Sequence, residues 1–263
     1  MKDFVTIIIP TFERPNACEK CVKNLLKQTY KNFEIVVIDD SCKKKYNIKD
    51  TGKVRYLKTE KRLGLGKSKN LGIKLARGNI IVVVDDDIIL KPDYIDIIVG
   101  DLKKYKAGAV GGRLLYPQLP NMGIRDGSLV KISKLTGEIY AWFSKDTKKP
   151  VFVETMHACV AFWKKIAIEV NFFDSWKFTG NYTYMEPDFF NKLLKRGYKL
   201  LYEPKAIAYH YQLKEGGTRM SDFMYNMFTF KNSFFYFIIT YKFKAIYMWP
   251  FYMTNRFLIK RFR

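Results

Sequence analysis

The chain has 263 residues, 48% of them hydrophobic, enough for one large folded domain plus an appendage and too apolar for a disordered polypeptide. Its 47 Lys and Arg residues against 25 Asp and Glu give a formal charge of +22, which favours an anionic partner: small-molecule phosphates, anionic lipid or nucleic acid. Four cysteines and two histidines are few, and disulfides are not expected.

Residues 5–9 read as a strand that stops at Pro10. No charged start, apolar stretch and small-residue cleavage site precedes it, so the expected setting is the reducing cytoplasm. Pro15 opens a helix to about Gln28. Within it Cys18, Cys21, Val22, Leu25 and Leu26 fall at i, i+3, i+4, i+7 and i+8, the buried stripe of a helix. That periodicity favours core packing over a metal or redox role for the Cys-x-x-Cys pair. Residues 34–38 form a continuous apolar strand ending in Asp39, Asp40 and Ser41, and residues 54–57 a short strand. Residues 66–76 read as a helix, with Gly78 beyond it as a stop. A third apolar strand, 80–84, ends in Asp85, Asp86 and Asp87, and Pro92 starts another helix.

Continuous β-branched strands separated by helices imply a parallel sheet covered on both faces. Ligands of such sheets bind beyond the carboxyl ends of the strands. The polar clusters at 11–14, 39–41 and 85–87 are therefore predicted to converge on one crevice. Three adjacent carboxylates repel one another, and a cation commonly offsets that cost. Oxygen ligands suit magnesium or manganese, which bridge carboxylates to substrate phosphates. A polar turn capping the next helix is the alternative, and the position at a sheet mouth favours the functional reading.

The stretch 108–181 is irregular and holds Trp142, Trp163 and Trp176. A helix is predicted to start at Pro187, with Glu186 as its N-cap, Asp188 in its first turn and Gly197 at its end. Short strands at 200–202 and 206–209 follow, the second delivering His210. From Phe223 onward there are no acidic residues, seven basic ones and sixteen aromatics. Lys242 and Lys244 interrupt the apolar run at 233–253 and Pro250 breaks it, so neither half approaches the ~20 residues that span a bilayer. Helices lying in a membrane interface, with lysine stems snorkelling, are the expectation. An oligomer contact or a helix packed back on the domain are the alternatives.

Three segments in order, TIIIPTFER at 6–14, EIVVIDDS at 34–41 and IIVVVDDD at 80–87, together resemble family-2 glycosyltransferases, the inverting enzymes of GT-A fold. NFFD at 171–174 is similar to the family's G-G-F-D. Residues 186–210 are similar to its E-D-x-D…R-x-x-x-G…Y-x-P-x-A…H stretch. The resemblance covers roughly residues 4–212. It implies an α/β fold, a GT-A type Rossmann-like mixed sheet flanked by helices, over residues 1–218, with a C-terminal amphipathic helical appendage over 219–263.

The resemblance further implies a UDP- or GDP-linked sugar donor, a hydroxyl acceptor such as a glycan or lipid-linked saccharide, and a divalent metal, Mn or Mg. On the donor side, Phe12 matches the residue that stacks on the base, between Pro10 and Thr11 before it and Glu13 after it. Asp40 matches the acid that reads the base edge, with Asp39 close enough to assist. Arg62, Lys67 and Lys69 are placed to meet the diphosphate, a solvated helix face being the alternative for the lysines. Asp87 is the candidate direct metal ligand, with Asp85 completing a D-x-D, Asp86 beside them and His210 at the position of a third ligand in some relatives, a hydrogen-bonded structural histidine being the alternative there. Glu186 matches the catalytic base, although the family's usual Glu-Asp pair reads Met185-Glu186 here. Asp188 is the alternative base, and with Trp176 and His157 it is expected on the acceptor side.

A cytoplasmic enzyme peripheral on a membrane is the resulting expectation. A nucleotidyltransferase would carry a Gly-rich basic loop where this chain has PTFER. An acidic crevice would repel a nucleic-acid backbone, so no nucleic-acid partner is expected. A nucleotide-sugar-binding protein without turnover is the reading that Met185 keeps open.

Overall fold

Val and Ile dominate residues 5–9 and 35–38, and such β-branched side chains fit a pleated surface that is covered on both sides. The computed structural model describes residues 3–118, 128–213 and 215–256. In chain order the elements are β1 (Val5–Thr11), α1 (Pro15–Leu25), β2 (Phe33–Asp39), β3 (Val54–Lys58), α2 (Leu65–Leu75), β4 (Ile80–Val83), β5 (Ile88–Leu90) and α3 (Tyr94–Lys104). There follow β6 (Ala109–Leu115), β7 (Val130–Ile132), β8 (Ile139–Ala141), β9 (Val151–Val153), β10 (Val160–Trp163), α4 (Lys164–Glu169), α5 (Met185–Lys195) and β11 (Leu200–His210). The last are α6 (Asp222–Tyr241), a single 3₁₀ turn (Lys242–Lys244) and α7 (Ala245–Thr254).

Eight strands run in the order β3-β2-β1-β4-β10-β6-β11-β5, with β9 also pairing β11, while β7 and β8 form a separate hairpin. β1, β2, β3 and β4 are mutually parallel. β10 is antiparallel to both β4 and β6, and β11 is parallel to β6. Two reversals restore the direction, so the carboxyl end of β11 reaches the same edge as those of β1, β2 and β4. The sheet is mixed, as the family resemblance implies and as the local pattern of parallel strands does not.

Several boundaries differ from the sequence reading. β1 runs through Pro10 to Thr11, because its last residues pair with Ile38 and Asp39 of β2. The two strands expected at 200–202 and 206–209 are one, β11, with a register shift between Glu203 and Ile207 that accommodates Pro204. Cys18, Cys21, Val22 and Leu25 are buried in α1, as the periodicity requires, but α1 ends at Leu25 rather than near Gln28, and Leu26, expected in the same stripe, is its exposed C-cap. The tail packs back on the domain through one face of α6, and among the described residues no helix is long and apolar enough to cross a membrane. Residues 257–263 of the expected appendage lie outside the described residues.

Candidate active site

The carboxyl ends of β1, β2, β4 and β11 surround a cavity lined by Phe12, Arg14, Asp40, Asp85, Asp86, Asp87, Tyr182 and His210, among others. The predicted convergence of separate strand ends is therefore present. Pro10, Thr11 and Arg62 also line it.

The Asp40 carboxylate takes three hydrogen bonds, from the Thr59 hydroxyl and the Leu63 amide at Oδ1 and from the Gly64 amide at Oδ2 (2.9, 2.6 and 2.7 Å). Those bonds fix the turn from which α2 starts. Gly64 has φ +86, and a Cβ there would strike the Tyr182 hydroxyl, so the turn depends on glycine. Asp39 is fully buried and accepts from the Ser41 amide at 2.9 Å and from the Tyr56 hydroxyl. Glu13 accepts from the Cys42, Lys43 and Lys44 amides, which makes it a cap of the loop after β2. Asp39 and Glu13 thus brace the loop after β2 and do not line the cavity. The Arg62 guanidinium lies 4.2 Å above the Phe12 ring, a cation–π contact at the cavity wall.

The acidic triplet is held by cations of the chain itself. Arg14 Nη1 stands 3.0 Å from Asp86 Oδ1 and 3.0 Å from Asp87 Oδ2. The same guanidinium donates to the carbonyls of Glu215, Leu213 and Gly216. Asp86 also accepts from the Thr11 hydroxyl at 2.6 Å, yet burial outweighs both partners and pushes its carboxyl up to about 6. Burial would raise Asp87 too, but the His210 and Arg14 partners prevail and hold it below the usual carboxylate range. His210 Nε2 is 3.2 Å from Asp87 Oδ1, and that carboxylate raises the imidazole above its ordinary value against the effect of burial.

Arg14 closes the polar cluster at 11–14 expected at the crevice, but its pairing with the acidic triplet has no counterpart in the sequence reading. An arginine beside an aspartate triplet in the fold leaves no spacing signal along the chain. Tyr182, Ser68 and the 217–219 stretch line the cavity for the same reason.

Asp85, Asp87 and His210 fit a hard divalent cation by chemistry and place, since oxygen and imidazole donors face one cavity. His210 Nδ1 is buried with no hydrogen-bond partner among the described residues, and a second ring nitrogen already addresses Asp87. Among the described residues no three such side chains already converge as a cage. A cation there would take Asp87 oxygen from Arg14.

Lys69 departs most from expectation. It is fully buried, and its ammonium pairs with Glu186 Oε1 at 2.7 Å and approaches Asp85 Oδ1 at 4.0 Å. Burial would discharge it, but Glu186 and Asp85 keep its affinity for the proton above the ordinary value. Lys69 is thus a bridge between Asp85 and the candidate base Glu186. Lys67 is exposed on α2 and does not line the cavity, in keeping with a solvated helix face.

Glu186 lies in the first turn of α5, not at the N-cap. The N-cap is Tyr184, a non-glycine residue at φ +70 held by a stack on Tyr236 at 4.7 Å. Asp188 is buried and paired with Lys192 at 3.1 Å, which joins α5 to itself. His157 accepts from the Cys159 amide and donates from Nε2 to the Gly112 carbonyl at 2.7 Å, and burial lowers it to about 4. It is a structural histidine between β6 and β10. Trp176 stands exposed beside Phe235 of α6 and outside the cavity.

The family model for glycosyl transferase family 2 matches residues 6–165, more than half the chain. The chain belongs to that family. Proteins similar to it include the glycosyltransferases GlyG and GlyA of Streptococcus pneumoniae. GlyG is 32% identical over 118 residues, 43% of this chain and 39% of that protein. GlyA is 30% identical over 117 residues, 42% of this chain and 16% of that protein. The glucosyl-dolichyl phosphate glucuronosyltransferase of Haloferax volcanii is 26% identical over 121 residues, 44% of this chain and 39% of that protein. The chain thus spans well under half the length of these relatives. The crystal structure of GalNAc-T7 with UDP, GalNAc and Mn2+ superposes with a TM-score of 0.74 at 17% identity, over 97% of this chain and 52% of that one. The fold of this family-2 chain is therefore GT-A.

Proposed function

We propose that the protein is an inverting, metal-dependent glycosyltransferase that passes a sugar from a UDP- or GDP-linked donor to a hydroxyl acceptor, a glycan or a lipid-linked saccharide, at the cytoplasmic face of a membrane. The supporting observation is the Asp85–Lys69–Glu186 chain, in which a buried lysine links a carboxylate that lines the cavity to a base candidate outside the lining.

In the reaction the acceptor oxygen bonds to the anomeric carbon, the bond from that carbon to the diphosphate breaks, and the configuration inverts. Glu186 takes the acceptor hydroxyl's proton as that bond forms. Lys69 holds the Glu186 carboxylate in one position and keeps it from repelling Asp85. Phe12 and Arg62 form the wall against which a base stacks, and Asp40 keeps the turn into α2 rigid beneath it. A divalent cation on Asp85, Asp87 and His210 would neutralise charge developing on the leaving nucleoside diphosphate.

Glu186→Gln tests the assignment. It should retain donor binding and lose turnover by about 10²- to 10⁴-fold. Near wild-type rates would remove Glu186 from the mechanism. The second reading, a nucleotide-sugar-binding protein without turnover, is supported by buried Met185 and by the ion pairs already on Glu186, Asp86 and Asp87. Transfer or hydrolysis with any donor excludes it.

A further inference from the structure

α6 and α7 form a helical hairpin whose inner face packs on the domain. On α6 the exposed Phe223, Met227, Phe230, Phe234 and Ile238 recur at intervals of four, three, four and four, so all five share one side of the helix. The buried Thr229, Asn232, Ser233, Tyr236 and Phe237 occupy the other side. The hairpin's second arm repeats the division. Phe243 is 88% exposed and Ile246 78%, with Tyr247 and Phe251 beside them, while Ala245, Met248 and Tyr252 point inward. Trp249 joins the two outer faces, its ring 4.8 Å from Phe230 and 5.1 Å from Phe234. Contiguous apolar surface of this extent marks an interaction site.

Charge selects the occupant. Residues 223–263 contain seven Lys and Arg and no Asp or Glu, and Lys242 and Lys244 are exposed at the turn between the helices. A second copy of the chain would set like charge against like. An anionic bilayer offers hydrocarbon to the aromatics and phosphate to the lysines at once. Neither described helix is long and apolar enough to cross it.

We propose that the α6–α7 hairpin lies in the plane of an anionic bilayer, with Phe230, Phe234, Ile238, Phe243 and Ile246 among the acyl chains and Lys242 and Lys244 at the headgroups. Asn191 of α5 donates to Thr240 of α6 at 3.2 Å, and Tyr184 stacks on Tyr236, so the hairpin is braced against the helix that carries Glu186. The sugar-transfer reading then implies an acceptor hydroxyl on a saccharide anchored in that same bilayer; this last step rests on the reading, and the docking itself does not.

Flotation with phosphatidylcholine vesicles, alone or mixed with phosphatidylglycerol, tests the docking. The wild-type chain should float with the mixed vesicles at low salt and remain behind with phosphatidylcholine alone. Phe243→Ser with Ile246→Ser, and separately Lys242→Glu with Lys244→Glu, should each weaken flotation by about tenfold or more. Circular dichroism and transfer to a water-soluble acceptor should match wild type in both. A wild-type chain that fails to float with mixed vesicles overturns the proposal, and so does unchanged flotation of the variants. Elution as a dimer that the Phe243/Ile246 variant splits, without vesicle binding, assigns the face to a second copy instead. Flotation without turnover sinks the transfer reading and leaves the docking standing; turnover on the water-soluble acceptor without flotation does the reverse.

Discussion

A lysine with no solvent contact persists only where carboxylates repay its lost hydration, and Lys69 finds two, Glu186 and Asp85. If it acts through Glu186, Lys69→Met should cut turnover by an order of magnitude or more while leaving the donor dissociation constant within about threefold. In the Glu186→Gln background the same change should add almost nothing. Additive losses in that double-mutant cycle, or donor binding lost with Lys69 alone, would return it to the diphosphate-binding role expected from sequence. The spacing of 66–70 showed a lysine on a helix near the crevice. Which side of α2 faced Glu186, 117 residues away, was not written in any local pattern.

A second carboxyl pair lies away from the site. Burial, together with a hydrogen bond to Glu203, raises Asp101 to about 6. Because its folded value exceeds that of an ordinary aspartate, its contribution favours the folded state at low pH and is lost as pH rises through about 6. Asp101→Asn should therefore stabilise the protein on the order of 1 kcal/mol at pH 8 and flatten the stability profile between pH 4 and 6. Denaturant titrations at several pH values measure this. An unchanged slope would mean that the pair does not share a proton.

At the scale of elements, α2 has to lie close on β1 to bring Lys69 inward. Gly72, one turn along the same helix, allows that approach: a Cβ there would meet the Ile8 side chain at 2.5 Å. Gly72→Val should lower stability by about 1–3 kcal/mol and reduce turnover more than donor binding, since it tilts the lysine from its socket. Thermal unfolding and steady-state kinetics on one preparation check both halves of that expectation. The helices and the first apolar strands were legible because their periodicity and their glycine and proline punctuation are local. The start of α5 was not. A Glu before a Pro looks like a cap, whereas the actual cap is a left-handed Tyr184 that only packing against Tyr236, Phe237 and Tyr252 makes tolerable.

At the scale of the whole molecule, the N-terminal half could be read in advance because its strands are laid down close together and end in charged clusters. The other half could not. β10 and β11 pair with strands far away in sequence, and antiparallel insertion leaves no signature in a short apolar run. The outcome is one mouth shared by both halves, with Asp85, Asp87 and His210 on it. Manganese with a matched nucleotide sugar should raise the melting temperature by mass action, and Asp87→Ala should abolish the manganese-dependent part. Full activity in chelator would remove the cation from the proposal.

The reversal of strand direction at β10 also divides the molecule into two modules. One holds Phe12, Arg62 and the acidic triplet; the other brings Glu186, His210 and the outer helices. If the proposed roles hold, exchanging the second module with that of another family member should alter what receives the sugar and leave what delivers it. The graft must keep the contacts that cross the join: a carboxylate at bonding distance to the ammonium buried in the first module, the carbonyls that receive Arg14, and the His210–Asp87 pair. Modules lacking that carboxylate leave an uncompensated charge at the join, and such chimaeras should fail at folding before they fail at chemistry.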